Sequence, residues 1–143
     1  MMNLYKTVEL IETIIKKIPN SGTIYQNDIY QLNQYQDVKY PAYCITQQTH
    51  TQDLTNEKMS FHFYVFYVDR LTSDGKNRLE IQSTAINCLK KIVDTLEENG
   101  AWIENATYTT FNERFNDVCA GAFVEFTVSY DAMDCGLDYQ IVL

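Results

Sequence analysis

The chain has 143 residues, 45% of them hydrophobic and 21% charged, a composition typical of one globular domain that argues against extensive disorder. Its formal net charge of −8 disfavours sequence-independent binding to nucleic-acid phosphates, because such binding needs clustered Lys and Arg. No run of about 18 apolar residues and no cleavage-like site near the start occur, so the sequence predicts neither a membrane-spanning helix nor a secretory signal.

The first predicted element is an amphipathic helix within residues 1–18. Its apolar side chains recur at steps of four and three and share one face that would pack on a core: Leu4, Val8, Ile11, Ile15 and Ile18. Pro19 follows and ends the helix, because proline lacks the backbone N–H that a further helical turn requires.

Residues 23–36 are rich in Asn and Gln and carry three tyrosines, Tyr25, Tyr30 and Tyr35. Tyrosine combines an apolar ring with a polar tip and is enriched at protein interfaces. We interpret these residues as an exposed arm that becomes ordered against a neighbouring subunit. An ordinary surface loop with a short strand near residues 23–25 is the alternative that the pattern leaves open.

Residues 40–71 predict strands, and the stretch 59–71, MSFHFYVFYVDRL, predicts the central one. When it is extended, one face carries Phe61, Phe63, Val65 and Tyr67, and the other carries His62, Tyr64, Phe66 and Val68. Both faces are largely apolar, so each must be covered by a helix, by a loop or by another copy of the protein. The polar connection at residues 50–58 includes His50, which we expect to be solvated.

Residues 77–98 predict a second helix, with Asn77 and Glu80 as its capping pair and Gly100 after its last turn. Its apolar stripe is formed by Leu79, Ile86, Leu89, Val93 and Leu96, and it is widened by Ile81, Ala85, Cys88 and Ile92. A stripe this broad predicts packing against both the sheet and the first helix.

Residues 101–130 predict a C-terminal hairpin with a charged tip at residues 112–117. The first strand has a mixed pattern, whereas the second alternates and points six residues inward: Ala120, Ala122, Val124, Phe126, Val128 and Tyr130. Residues 131–143 form an acidic tail whose apolar end, Ile141-Val142-Leu143, would have to dock somewhere. Together the elements predict an α+β domain with a mostly antiparallel four- to five-stranded sheet and two helices packed on one face.

The sequence carries few residues in patterns that indicate chemistry. The four cysteines, at positions 44, 88, 119 and 135, lack metal or redox spacing and are predicted to be buried, reduced thiols. No phosphate-binding loop, nucleophile elbow or calcium loop occurs, so no catalytic residue, cofactor or metal site is predicted. Glu104, Glu113 and Glu125 could serve acid–base chemistry only if a pocket brought two of them together. His62 is predicted to be a hydrogen-bonded or interface residue.

In the order and pattern of its elements, the chain resembles the tail terminator or tail completion proteins of tailed bacteriophages. The likeness spans nearly the whole chain and is carried by YPAYCI at 40–45, FHFYVFYVD at 61–69, the helix at 77–98, and FNERFNDVCAGAFVEFTVSY at 111–130. The abundance of Asn, Ile and Tyr also resembles the products of AT-rich genomes, such as those of crAss-like phages of gut bacteria.

This resemblance implies a structural virion protein of the neck or tail, made in the host cytoplasm, and not an enzyme. Members of the family form rings, commonly hexameric, that cap the tail tube or join it to the head. The implied partners are further copies of the chain, in a hexamer or dodecamer, and portal, other neck-ring or tail proteins. DNA would only pass through the lumen without sticking, which suits the negative charge. The acidic tail at 131–143 departs from the family pattern.

Subunit contacts are predicted at the arm tyrosines, the outer aromatics of the central strand and the hairpin tip: Tyr25, Tyr30, Tyr35, Tyr64, Phe66, Arg114 and Phe115. A head-to-tail interface between copies would bury them. Two alternatives belong to other classes of protein. One is a small acidic binding or inhibitor protein that acts on a basic partner. The other is a small α+β enzyme with a pocket between sheet and helix.

Overall fold

Two helices and six strands make up the regular structure of the described chain. A computed structural model of the protein describes residues 3–26, 38–55, 58–114 and 118–131. In chain order the elements are α1 (Leu4–Lys17), β1 (Ile24–Tyr25), β2 (Ala42–Gln47), β3 (Thr51–Asp53), β4 (Lys58–Arg70), α2 (Arg78–Glu98), β5 (Trp102–Arg114) and β6 (Val118–Asp131). Most of the predicted arm and nearly all of the acidic tail therefore lie outside the described residues.

β4 is the central strand of the sheet, as its two apolar faces predict. The strand order is β1-β2-β4-β6-β5, and β3 pairs with the first residues of β4. β1 and β2 run parallel, whereas the other pairs are antiparallel, so the sheet is mixed. The predicted α+β class is confirmed, but the sheet has six strands instead of four or five. β3 lies in the connection predicted to be polar, and its three exposed residues are too few to show strand alternation.

Both helices contribute to one hydrophobic core with a single face of the sheet. From β4 and β6 this core takes every second residue, as predicted: Phe61, Phe63, Val65 and Tyr67, then Ala120, Ala122, Val124, Phe126, Val128 and Tyr130. The helices supply fully buried residues such as Ile11, Ile15, Leu89 and Leu96. Full burial of an aliphatic or aromatic side chain contributes about 1.5–3 kcal/mol, so this layer supplies much of the stabilisation of the fold.

α1 begins at a side-chain cap. Asn3 Oδ1 accepts a hydrogen bond of 2.8 Å from the backbone N–H of Lys6, which satisfies one of the free N–H groups of the first turn. The buried face of α1 consists of Thr7, Val8, Ile11, Ile14 and Ile15. The two ends of the predicted stripe, Leu4 and Ile18, are only partly buried.

The first turn of α2 differs from the prediction in two respects. Asn77 makes no side-chain cap, because its side chain accepts from the backbone N–H of Thr72 at 2.8 Å and donates to the carbonyl of Arg70 at 3.2 Å. Leu79 is 73% exposed, because it lies on a different side of the helix from the buried face that begins at Ile81. The buried residues of α2 are Ile81, Ala85, Leu89, Ile92, Val93 and Leu96.

A β-bulge explains the mixed pattern of β5. The register against β6 shifts between Glu104 and Thr107, so two residues of β5 occupy the space opposite one residue of β6. Asn105 within the bulge has a φ of 55°, a left-handed conformation that Asn adopts more readily than most residues. Before the bulge the even-numbered residues of β5 point away from the helices, and after it the odd-numbered residues do.

Leu89 and Leu79 provide a matched test of which side of α2 is buried. Leu89 is fully buried and Leu79 is 73% exposed. Leu89→Ala should lower the free energy of unfolding by about 2–5 kcal/mol, because truncation leaves a cavity in the core. Leu79→Ala should change it by less than about 0.5 kcal/mol. Urea unfolding followed by circular dichroism measures both values, and equal losses would contradict the orientation of α2.

Candidate interaction surface on the open face of the sheet

The face of the sheet that points away from the helices, here called the open face, carries four aromatic rings in contact. We call this cluster the aromatic patch, and it consists of Tyr64, Phe66, Phe111 and Phe123. The ring centroid of Phe66 lies 5.0 Å from that of Phe123, 6.2 Å from that of Phe111 and 6.3 Å from that of Tyr64. All four rings are half-buried, so the patch still presents apolar surface to solvent.

The register of the strands builds this patch. Phe66 of β4 lies directly opposite Phe123 of β6, and facing residues of antiparallel strands interact through their side chains. Phe111 of β5 lies opposite Gly121, where the absence of a side chain leaves room for the ring. A Cβ added at Gly121 would lie 3.2 Å from Phe111 Cζ and 1.8 Å from the carbonyl oxygen of Tyr67. The sheet therefore requires glycine at this position.

The open face becomes polar towards the end of the sheet where β5 begins. His62 Nε2 lies 3.0 Å from Glu125 Oε1, and the two side chains are 33% and 38% exposed. Burial, followed by the negative charge of Glu125, raises the pKa of the Tyr64 phenol, which therefore stays protonated near neutral pH. The hydroxyl oxygens of Ser60 and Ser129 are 2.8 Å apart. The aromatic patch thus adjoins a strip of hydrogen-bonding groups.

The opposite end of the open face is covered by the chain itself. Three residues are fully buried there: Cys44, Val68 and Cys119. Five half-buried residues pack against them: Phe66 and Phe111 of the aromatic patch, and Tyr25, Val38 and Tyr40. The chain on either side of residues 27–37 therefore covers this end, whereas the aromatic patch remains half-exposed among the described residues.

The predicted contact residues divide into three groups. Tyr64 and Phe66 lie together in the aromatic patch. Tyr25 packs against the buried end of the open face within its own chain. Arg114 ends β5, with its backbone paired to Val118. The remaining three, Tyr30, Tyr35 and Phe115, lie outside the described residues.

Sequence reasoning missed Phe111 and Phe123. For Phe123 the signal was present, because the alternation of β6 places it on the same side as Gly121 and Glu125. For Phe111 the signal was hidden, because the bulge at Asn105 reverses the phase of β5. The His62–Glu125 contact was also missed, since it depends on which strand lies beside β4.

Packing against neighbouring side chains determines how far His50 and the cysteines are buried. His50 was expected to be solvated but is half-buried. Its ring centroid lies 5.3 Å from that of Phe61. Its Nδ1 is buried and has no hydrogen-bond partner among the described residues. Cys44 and Cys119 are buried, as predicted, and Cys88 is half-buried. Cys135 lies outside the described residues.

Two of the three candidate carboxylates, Glu104 and Glu125, contact different partners, and the side chain of Glu113 lies outside the described residues. Glu125 pairs with His62 on the sheet surface, and Glu104 is exposed and accepts a hydrogen bond from Trp102 Nε1 at 3.2 Å. A catalytic pair works best where water is excluded, and the open sheet surface does not provide that around His62. Within the described ranges, no three His, Cys, Asp or Glu side chains come close enough together to hold a metal ion.

Comparison with known sequences does not assign the chain to a family. No protein-family model matches the chain, and no curated protein matches its sequence. None of the described helices is long and apolar enough to cross a membrane.

Gly121→Ala tests the packing beneath the aromatic patch. The added Cβ would collide with the carbonyl of Tyr67, so the free energy of unfolding should fall by about 1–3 kcal/mol. Thr127→Ala, a half-buried residue on the same face of β6, serves as the control and should cost about 0.5 kcal/mol or less. Chemical denaturation measures both. A Gly121→Ala protein as stable as the control would contradict the close approach of β6 to β4.

Proposed function

We propose that the protein is a structural component that assembles head-to-tail into a ring through the open face of its sheet, as part of the neck or tail of a tailed bacteriophage. The observation that carries this proposal is the aromatic patch. Phe66, Phe111, Phe123 and Tyr64 form one contiguous cluster of half-buried rings on the face that the helices leave free.

The composition of the open face is that of an interface core with a polar rim. Aromatic residues are enriched at the centres of protein interfaces, and hydrogen-bonding groups surround them. On the open face the rings of the patch adjoin the His62–Glu125 contact and the Ser60–Ser129 pair. A second copy would remove the remaining exposed ring surface from water. Such burial stabilises an interface by about 25 cal/mol per Å² of apolar area.

A closed ring of copies would bury the aromatic patch of every subunit. When the patch of one copy meets a different surface of the next, the contact is heterologous and closes into a ring if the rotation permits. The net charge of −8 supports a ring around DNA, because an acidic lumen repels phosphate and lets the duplex pass. The resemblance of the elements to tail terminator or tail completion proteins supports the assignment to a phage neck or tail.

An acidic binding or inhibitor protein is the second candidate, and the net charge of −8 is the observation that favours it. Such a protein would present its negative surface to a basic partner and would remain a monomer or dimer. Oligomeric mass therefore separates the two functions.

The double variant Phe66→Gln, Phe123→Gln tests the ring. Each truncation of an interface aromatic is expected to weaken one contact by about 2 kcal/mol, roughly thirtyfold in its dissociation constant. The wild-type chain should appear as a closed ring of six or twelve copies by native mass spectrometry and electron microscopy, and the variant as smaller species. Tyr5→Gln, which changes an exposed aromatic on α1, should leave the ring intact.

Two outcomes would contradict the proposal. One is a wild-type chain that stays monomeric at high concentration. The other is a double variant that assembles as well as the wild type while its circular dichroism and unfolding free energy show a native fold.

The predicted arm gives an independent test. Tyr30→Ala with Tyr35→Ala should weaken ring assembly and leave the unfolding free energy nearly unchanged, because tyrosines at an interface contribute to binding and not to the subunit core. A large loss of stability in the isolated subunit, measured by thermal unfolding, would place these tyrosines in the core instead.

A further inference from the structure

A groove of about 540 Å³ runs between α1 and α2, on the side of the molecule opposite the aromatic patch. Its apolar lining includes Leu10, Ile14 and Ile18 from α1 and the segment after it, and Cys88 from α2. Pockets for small molecules span about 300–1,000 Å³ and combine a mainly apolar lining with a few polar groups. The groove therefore has room for a few apolar side chains, such as those that one chain segment would insert.

The wall of the groove at Cys88 is uncharged. The buried hydroxyl of Tyr43 has no hydrogen-bond partner among the described residues. It lies near the Cys88 thiol, and burial is the main cause that raises the pKa of both groups. Both therefore remain neutral near pH 7, and the wall offers an apolar surface with a polarisable sulfur.

The rim of the groove is positively charged. Lys17 and Lys91 line it, and among the described residues neither ammonium group forms a hydrogen bond or an ion pair. Lys90, by contrast, pairs with Asp94 at 2.6 Å. In a chain with 19 acidic and 11 basic residues, two unpaired lysines beside an apolar groove favour an occupant that is both apolar and acidic.

We infer that this groove binds residues 132–143 of the same chain, AMDCGLDYQIVL. This stretch carries Asp134 and Asp138 and no Lys or Arg. Its apolar residues include Met133, Leu137, Tyr139 and the run Ile141-Val142-Leu143. Its composition matches the groove in both respects, since the apolar side chains suit the lining and the two carboxylates suit the lysine rim.

The end of β6 lies close to one end of the groove. Tyr130 Oη lies 3.4 Å from Thr7 Oγ1 in the first half of α1, and Ser129 pairs with Trp102, three residues after Asn99 in the groove lining. Twelve extended residues reach about 40 Å, whereas the 14 residues of α1 span about 21 Å. The segment that follows Asp131 is therefore long enough to follow the whole groove.

Attachment to the same chain makes such docking effective even where each contact is weak. A tethered segment meets its site at an effective concentration of roughly millimolar. The inference concerns the helix side of the molecule, so it does not depend on the proposed ring.

Alkylation of Cys88 in the full chain tests this docking. Cys88 lines the groove and is half-buried, whereas Cys44 and Cys119 are fully buried and report on unfolding. The triple variant Ile141→Ser, Val142→Ser, Leu143→Ser should raise the iodoacetamide labelling rate of Cys88 roughly tenfold, the change expected when about nine chains in ten have the groove occupied. Peptide mass spectrometry measures labelling at each cysteine.

Charge reversal at the rim gives the second arm of the test. Lys17→Glu with Lys91→Glu should raise Cys88 labelling severalfold in the wild-type chain, because the acidic segment is then repelled. In the triple serine variant, where no docked segment remains to be released, the same pair should only slow labelling, because negative charges near Cys88 disfavour the reactive thiolate. Opposite changes in the two backgrounds therefore identify release of the segment. Lys6→Glu with Lys16→Glu, an equal charge change on α1 away from the groove lining, should leave the rate unchanged.

Three results would overturn the inference. The first is an equal Cys88 labelling rate in the wild type and the triple serine variant. The second is a rate in the wild type that falls as protein concentration rises, which would assign the groove to a second copy of the chain. The third is faster labelling of Cys44 and Cys119 together with Cys88, which would mean that the serine substitutions unfold the core and do not release a docked segment.

Discussion

The two-sided apolar character of β4 is the constraint on which the rest of the structure depends. β4 is paired along its whole length with β6 and on its other edge with β2 and β3, so both of its edges are occupied. Because both of its faces carry apolar side chains, each face needs cover from water. Both helices, α1 and α2, pack against the same face of the sheet. They therefore leave the other face of β4 without a helix to cover it.

The placement of the helices makes the two sides of the molecule chemically different. On the helix side, large side chains interdigitate into one core in which residues such as Phe63, Phe126 and Leu89 are almost fully buried. Among the described residues, Tyr25, Val38 and Tyr40 close one end of the open face over the thiols of Cys44 and Cys119. The middle of that face retains the aromatic patch, and the far end carries polar pairs. Apolar surface that a fold does not bury in itself is the usual starting point for association.

Two surfaces therefore remain available on opposite sides of the domain, and they differ in what they suit. The aromatic patch is a sheet surface with polar groups beside it, which suits a large partner surface such as another subunit. The groove between α1 and α2 is mainly apolar and edged by Lys17 and Lys91, which suits an apolar and acidic chain segment. A subunit that uses both could join its neighbours through the sheet while its own acidic stretch covers the helices.

The sequence by itself determined the two helices, the central strand and the inward faces of α1, β4 and β6. Periodicity is a local property of the chain, so it indicates directly which side chains share a face. This holds for the alternation of β4 and β6 and for the apolar stripe of α1. Only the tertiary structure decided which faces meet. The bulge at Asn105 changed the phase of β5 and brought Phe111 over Gly121, and the pairing of β4 with β6 brought His62 to Glu125. These contacts join residues far apart in the chain, and no local pattern specifies the register that creates them.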